Sequence, residues 1–196
     1  MSNKNIKLAI MASGNGSNAE AIIRHFANHH EIVVATIYTN NESAFVLERA
    51  NRNDIRGIVF TKEEFLNPSF YHQVLLHQYD LIILAGFMWL IPAALIGSYR
   101  NRIINIHPAL LPKYGGKGMY GSYVHKAVIE NKENESGITI HYVNEKYDDG
   151  DIIFQTNCKV LATDSPASLA ERIHILEHRH YPVEIEKLCN KLLLSQ

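Results

Sequence analysis

Leu8-Ala9-Ile10-Met11-Ala12, followed at once by Ser13-Gly14-Asn15-Gly16-Ser17-Asn18-Ala19, is the stretch that decides the fold. The apolar run is too short for a buried helix and lacks the alternation of a half-exposed strand, so it reads as a strand covered on both faces. The glycines and asparagines that end it demand a sharp turn, and Ser17 or Asn18 is suited to cap a helix continuing to about residue 27. Strand, glycine turn and helix in that order open a parallel βαβ unit.

The pattern repeats outward from there. Strands are expected over 32–38, 55–60 and 81–85, with helices over 43–51 and 70–78 between them. Pro92 suits the first turn of a helix reaching residue 99, and a fifth strand follows over 102–106. Gly115, Gly116, Gly118 and Gly121 make the next segment too glycine-rich for regular structure. After a helix over 124–131, a late pair of strands is expected over 137–143 and 151–155. A final helix over 165–194 should break near Pro182. The expectation is an α/β protein: a Rossmann-like, mostly parallel twisted sheet with helices on both faces and late strands extending it.

A chain of 196 residues, 46% hydrophobic and 20% charged, is read as one globular domain over 1–196. With a net charge of -1 it has no basic stripe for a phosphate backbone, so no nucleic acid is expected as partner. Its two cysteines, Cys158 and Cys189, suggest neither a disulfide framework nor a thiolate zinc site, and favour a reducing compartment. A polar start leading directly into a strand, with no apolar run of membrane-spanning length, makes the expected location cytoplasmic, with no membrane partner. Monomer and homodimer both remain open.

In an open parallel sheet ligands bind at the carboxyl ends of strands, and the motifs fall there. The Gly14–Ala19 turn formally matches a dinucleotide fingerprint, and its amides could cradle a phosphate. Asn40-Asn41 stands where a nicotinamide enzyme would want an acidic residue; the bland reading is a capped turn. Asn105-Ile106-His107-Pro108 closes the fifth strand, with Asn105 and His107 on one side. A carboxamide donor beside an imidazolium suits an oxyanion, although a lone histidine at a strand end is usually a surface residue. Asp148-Asp149-Gly150-Asp151 crowds three carboxylates together; one could pair with His107 and raise its pKa, whereas calcium-loop spacing is lacking. His174-Ile175-Leu176-Glu177-His178 has the spacing of a zinc-peptidase helix, with Glu184 and Glu186 as the only later acidic ligands.

Taken in order and spacing, Ser13–Asn18, Leu84-Ala85-Gly86-Phe87-Met88, Asn105-Ile106-His107-Pro108-Ala109-Leu110-Leu111-Pro112 and the acidic turn at Asp148 resemble the phosphoribosylglycinamide formyltransferase family across nearly the whole chain. The resemblance implies formyl transfer from 10-formyltetrahydrofolate to glycinamide ribonucleotide, two small-molecule substrates, without a metal. It implies that Gly16, Ser17 and Asn18 hold the nucleotide phosphate and that Glu177 binds the ribose. The pterin would lie against Met88, Trp89, Leu90 and Ile91 and the loop carrying Asn144, Tyr147 and Asp148. Asn105, His107 and Asp148 would be catalytic, with Asp148 keeping His107 charged. Three departures accompany this. Trp89 stands where many relatives carry arginine, Gly115 to Gly121 replaces a Pro-Gly-x-His segment, and Tyr147-Asp148-Asp149-Gly150 replaces Leu-Asp-Gly-Gly. An amino sugar nucleotide as acceptor, and a folate-binding domain without transfer activity, are the other readings.

Overall fold

The structure, a computed structural model, describes residues 5–70 and 78–194. Seven strands form one sheet in the order β3-β2-β1-β4-β5-β6-β7. These are β1 (Ile6–Met11), β2 (Ile32–Thr39), β3 (Arg56–Val59), β4 (Leu81–Leu84), β5 (Ile103–His107), β6 (Glu135–Tyr142) and β7 (Ile152–Lys159). The first five are parallel; β6 joins β5, and β7 joins β6, antiparallel. The expected late strand pair is therefore present, with β7 running four residues further than the sequence suggests.

Alternation along the central strands explains the two layers. Ile6, Leu8 and Ile10 of β1, with Leu81 and Ile83 of β4, face one core, whereas Ala9, Met11, Ile82 and Leu84 face the other. The first core is closed by α1 (Ser17–Phe26), α2 (Val46–Arg52), α6 (Ser122–Glu130) and α7 (Pro166–Leu194). The second is an aromatic cluster in which Phe65 of α3 (Lys62–Leu66) and Leu95 of α5 (Ala93–Ser98) meet Phe60, Tyr79 and Tyr99. Helix α3 carries a complete capping box, Thr61 with Glu64, and the short turn α4 (Pro68–Phe70) follows it. The helix expected over 70–78 lies, apart from its two end residues, outside the described residues.

The expected break at Pro182 does not occur: α7 runs unbroken from Pro166 to Leu194. Proline removes one helical hydrogen bond, a local cost of about 3 kcal/mol. Here Glu177, Tyr181, Ile185, Leu188 and Cys189 on both sides of it are buried on one face, and the Tyr181 hydroxyl donates to the Leu84 carbonyl at 2.9 Å. That burial holds the axis through the proline. No described helix is long and apolar enough to cross a membrane.

The strand order turns back on itself between β1 and β4, so the loops leaving their carboxyl ends diverge and open a crevice. Ser13 ties the two loops together, its N–H donating to the Gly86 carbonyl and its Oγ accepting from the Met88 N–H, each at 3.0 Å.

Candidate active site

A cavity of about 560 Å³ fills that crevice and reaches across the end of β5. One end is the turn from β1 into α1. Gly16, at φ 73, precedes the helix in the left-handed region, and no side chain caps α1. The expectation that Ser17 or Asn18 caps the helix is thus corrected. Asn18 instead turns its Nδ2 to the Glu177 carboxylate at 3.0 Å, leaving its Oδ1 buried without a partner. The first-turn N–H groups of α1 consequently face the cavity without a side-chain acceptor, as an anion site requires. A Cβ on Gly16 would lie 2.4 Å from Val46 Cγ2, so no larger residue fits this turn unstrained.

Glu177, 5% exposed, lies beneath this end of the cavity. Burial pushes its carboxyl up to about 7, only partly opposed by the Asn18 amide. A folded-state value above the unfolded one makes the protonated form the stable one. Its contribution is full below about 4.5 and is lost as pH rises through about 7. Glu177→Gln, which is always neutral, is therefore expected to be more stable than the wild type at pH 8, by on the order of 3 kcal/mol. The gap should close toward pH 4.5. Urea titrations at the two pH values check this, and a gap independent of pH overturns it.

At the far end of the cavity β5 presents Asn105 and His107 on one side, two residues apart, as alternation requires. The segment after His107 is pinned by buried Thr139, whose hydroxyl donates to the Ala109 carbonyl at 2.7 Å and accepts from Leu111 N–H at 3.0 Å. Asp148 arrives from the β6–β7 loop, in the left-handed region at φ 53. Its Oδ2 lies 3.4 Å from His107 Nδ1 and accepts the Gly116 N–H at 3.0 Å; its Oδ1 accepts from Asn105 Nδ2 at 3.4 Å. Asp149 instead holds Asn144 and Lys146 on the exposed side of the loop. The structure thus brings Asn105, His107 and Asp148 together and separates Asp148 from its neighbour.

A fourth group stands here that the sequence reading missed. His141 is directly across from Asn105 in the antiparallel β5–β6 ladder. Its Nδ1 lies 2.8 Å from the Tyr142 carbonyl oxygen, and its Nε2 lies 3.2 Å from Asn105 Nδ2 and 3.7 Å from Asp148 Oδ1. Its position in the alternation of β6 was readable; its partner strand was not.

The electrostatics correct one expectation. Burial pushes the His107 pKa down, and the Asp148 carboxylate and the Tyr114 carbonyl, which accepts from Nε2 at 2.7 Å, recover only part of that. The second imidazole, His141, opposes them further. The net direction is downward, against the expectation that Asp148 raises the imidazole's pKa and holds it charged. Asp148 behaves oppositely. Burial pushes it up, but His141, the charge of His107 and the Gly116 N–H together hold it below the ordinary carboxylate range.

Met88, Trp89, Leu90 and Ile91 line the cavity wall, as does Tyr147 opposite them. Trp89 also packs against Phe60, Phe65 and Phe87, each within 6.2 Å between ring centres, so it belongs to the aromatic core as much as to the wall. Asn144 does not line the cavity: its side chain accepts from Lys146 N–H and donates to Asp149, shaping the turn. On α7, His174 and His178 stack on each other 6.2 Å apart while Glu177 points to Asn18. Among the described residues no group of three His, Cys, Asp or Glu side chains is placed to share a metal ion.

A fold of this order, with a polar cluster at one end of a switch-point crevice and an open helix start at the other, matches a family model described as formyl transferase over residues 6–185. The chain belongs to the formyl transferase family. Within it, the chain is similar to proteins named phosphoribosylglycinamide formyltransferase. It is 37% identical to the Bacillus subtilis protein, over 93% of this chain and 94% of that one, and 34% identical to the Escherichia coli protein, over 92% and 85%. The Arabidopsis thaliana chloroplastic protein is 40% identical over 94% of this chain, which spans only 66% of that relative's length and 62% of the Vigna unguiculata protein's. The crystal structure of the Anaplasma phagocytophilum enzyme of that name superimposes with a TM-score of 0.86 at 32% identity, covering 96% of this chain and 88% of that one.

Proposed function

We propose that this chain transfers the formyl group of 10-formyltetrahydrofolate directly to the amine of glycinamide ribonucleotide. The observation that carries the reading is the meeting of Asn105, His107 and Asp148 at one end of a cavity whose other end is the uncapped start of α1. A phosphate bound by Gly16, Ser17 and Asn18, with the ribose at Glu177, directs the acceptor's amine toward His107. The wall of Met88, Trp89, Leu90 and Ile91, with Tyr147 facing it, offers the donor's flat pterin ring an apolar slot.

The amine attacks the formyl carbon, forming a C–N bond and a tetrahedral intermediate whose oxygen carries negative charge. Asn105 has both amide hydrogens in use, toward His141 and Asp148, but the Asp148 contact at 3.4 Å is long and yields to an oxyanion. The negative charge developing beside it favours the protonated form of His107, because a nearby anion raises an imidazole's pKa. Asp148 begins ionised, takes the proton lost by the attacking nitrogen through a water, and passes it on to N10 of the folate as that bond breaks. The intermediate collapses by breaking the bond to N10 of the folate, which receives a proton. Holding both substrates together turns a bimolecular step into an effectively unimolecular one.

Incubation with both substrates should consume them one for one, releasing tetrahydrofolate. Absence of turnover by folded protein overturns the reading, and preference for an amino sugar nucleotide in competition would reassign the acceptor.

A further inference from the structure

His125 has no role in the chemistry above, yet it lines the same cavity. It lies in the first turn of α6, 3% exposed. Its Nδ1 is sealed from solvent without a partner, and among the described residues neither ring nitrogen makes a hydrogen bond. A buried polar side-chain atom left unsatisfied beside a cavity marks a place where a ligand atom belongs. The helix it sits on repeats the message. Gly121, at φ 52, precedes α6 and no side chain caps it; the Tyr123 N–H donates to the Tyr120 carbonyl at 3.2 Å, and the other first-turn N–H groups of this nine-residue helix have no side-chain acceptor.

The surroundings locate the ligand atom. His125 lines the cavity together with His107 and His174, and α6 packs against α7, so the ring lies between the reacting end and α7. His174 is one helical turn before Glu177, which holds Asn18 in the α1 turn. The α6 start therefore belongs to the acceptor's side of the cavity, not to the pterin wall. Arg49, which reaches the α1 turn, is spent on the Asn15 carbonyl, the Asn15 side chain and Glu20, and Lys117 lines the cavity from the glycine-rich segment. Burial, with His174 and His107 adding to it, pushes the His125 pKa to about 4, so the ring meets an anion as a neutral N–H donor.

We infer that His125 and the uncapped start of α6 bind the phosphate group of the acceptor nucleotide, opposite the α1 turn, so that two helix starts share one anion. This deepens the function proposed above and rests on it for the acceptor's identity.

The test compares glycinamide ribonucleotide with its dephosphorylated riboside. His125→Leu should raise KM for the ribonucleotide by about 10- to 100-fold, the scale of a lost hydrogen bond to a charged group, with kcat and the folate KM unchanged. The riboside should show the same kcat/KM in both proteins. His125→Asn, which keeps a donor, should recover part of the loss, and circular dichroism of both variants controls for folding. Calorimetric binding of the ribonucleotide and riboside without folate reads the contact independently of turnover. An unchanged ribonucleotide Kd in either folded variant, or an equal loss on both ligands, overturns the assignment to phosphate. Lack of turnover in the wild type with phosphate-dependent binding still lost in His125→Leu would sink only the proposed reaction.

Discussion

Asp148→Asn is expected to lower turnover at least ~10²-fold while leaving substrate affinity nearly intact, the scale of a positioned acid or base. The amide keeps the shape and can still accept the Gly116 N–H, but it has no charge to take a proton from the attacking nitrogen. His107→Ala should lose a comparable factor for a different reason, since nothing beside the developing oxyanion could then take up charge. The two losses should not multiply, because the groups act on one transition state. Stopped-flow rates with both substrates saturating give the comparison; near-normal rates in both variants would falsify the mechanism. A stability signature accompanies the carboxylate change. A depressed folded-state pKa adds stability that is present above the unfolded value, near 3.8, and is lost as pH falls through the folded one. The wild type should therefore outlast Asp148→Asn at pH 7, and the difference should vanish in strong acid.

Gly150→Ala is expected to be the most damaging single methyl group in the molecule. A Cβ there would sit 1.8 Å from the Tyr142 carbonyl oxygen, which is backbone of β6 and has no room to rotate away. The loop must move, and Asp148 stands two residues before it. Overpacking of this kind costs about 3 kcal/mol, or roughly 10 °C in Tm for a chain of this size. Turnover should fall by more than unfolding accounts for when measured well below Tm, because the carboxylate is displaced from His107. Calorimetry and rate measurement on the same sample decide it, and a variant with wild-type Tm and rate would show that the loop is slack.

The strands that set the fold were readable because they are buried on both faces: β1, β4 and β5 are near-continuous apolar runs whose limits the structure shifts by one or two residues. Edge strand β3, with three of its four residues exposed, came out two residues longer in the sequence reading for want of that signal. Pro182 shows the opposite error, in which a local rule yields to burial along a whole helix face. Helix α3 went unread although Thr61 and Glu64 spell its cap, since five residues carry too little periodicity. At the site, Asn105 and His107 could be paired from alternation alone. Selecting Asp148 over Asp149 needed a resemblance, because a turn's local sequence does not say which carboxylate points inward. Nothing local marks His141 or His125 as belonging to the site. One depends on the register of β5 against β6, and the other on the seating of α6 beside α7.

The Gly116 amide that binds Asp148 belongs to the glycine-rich segment over the cavity mouth. Were that segment to lift, the carboxylate would lose a donor and its affinity for protons would rise. A substitution that displaces the Gly116 N–H, wherever it lies in residues 115–121, should therefore shift the acid limb of the rate profile.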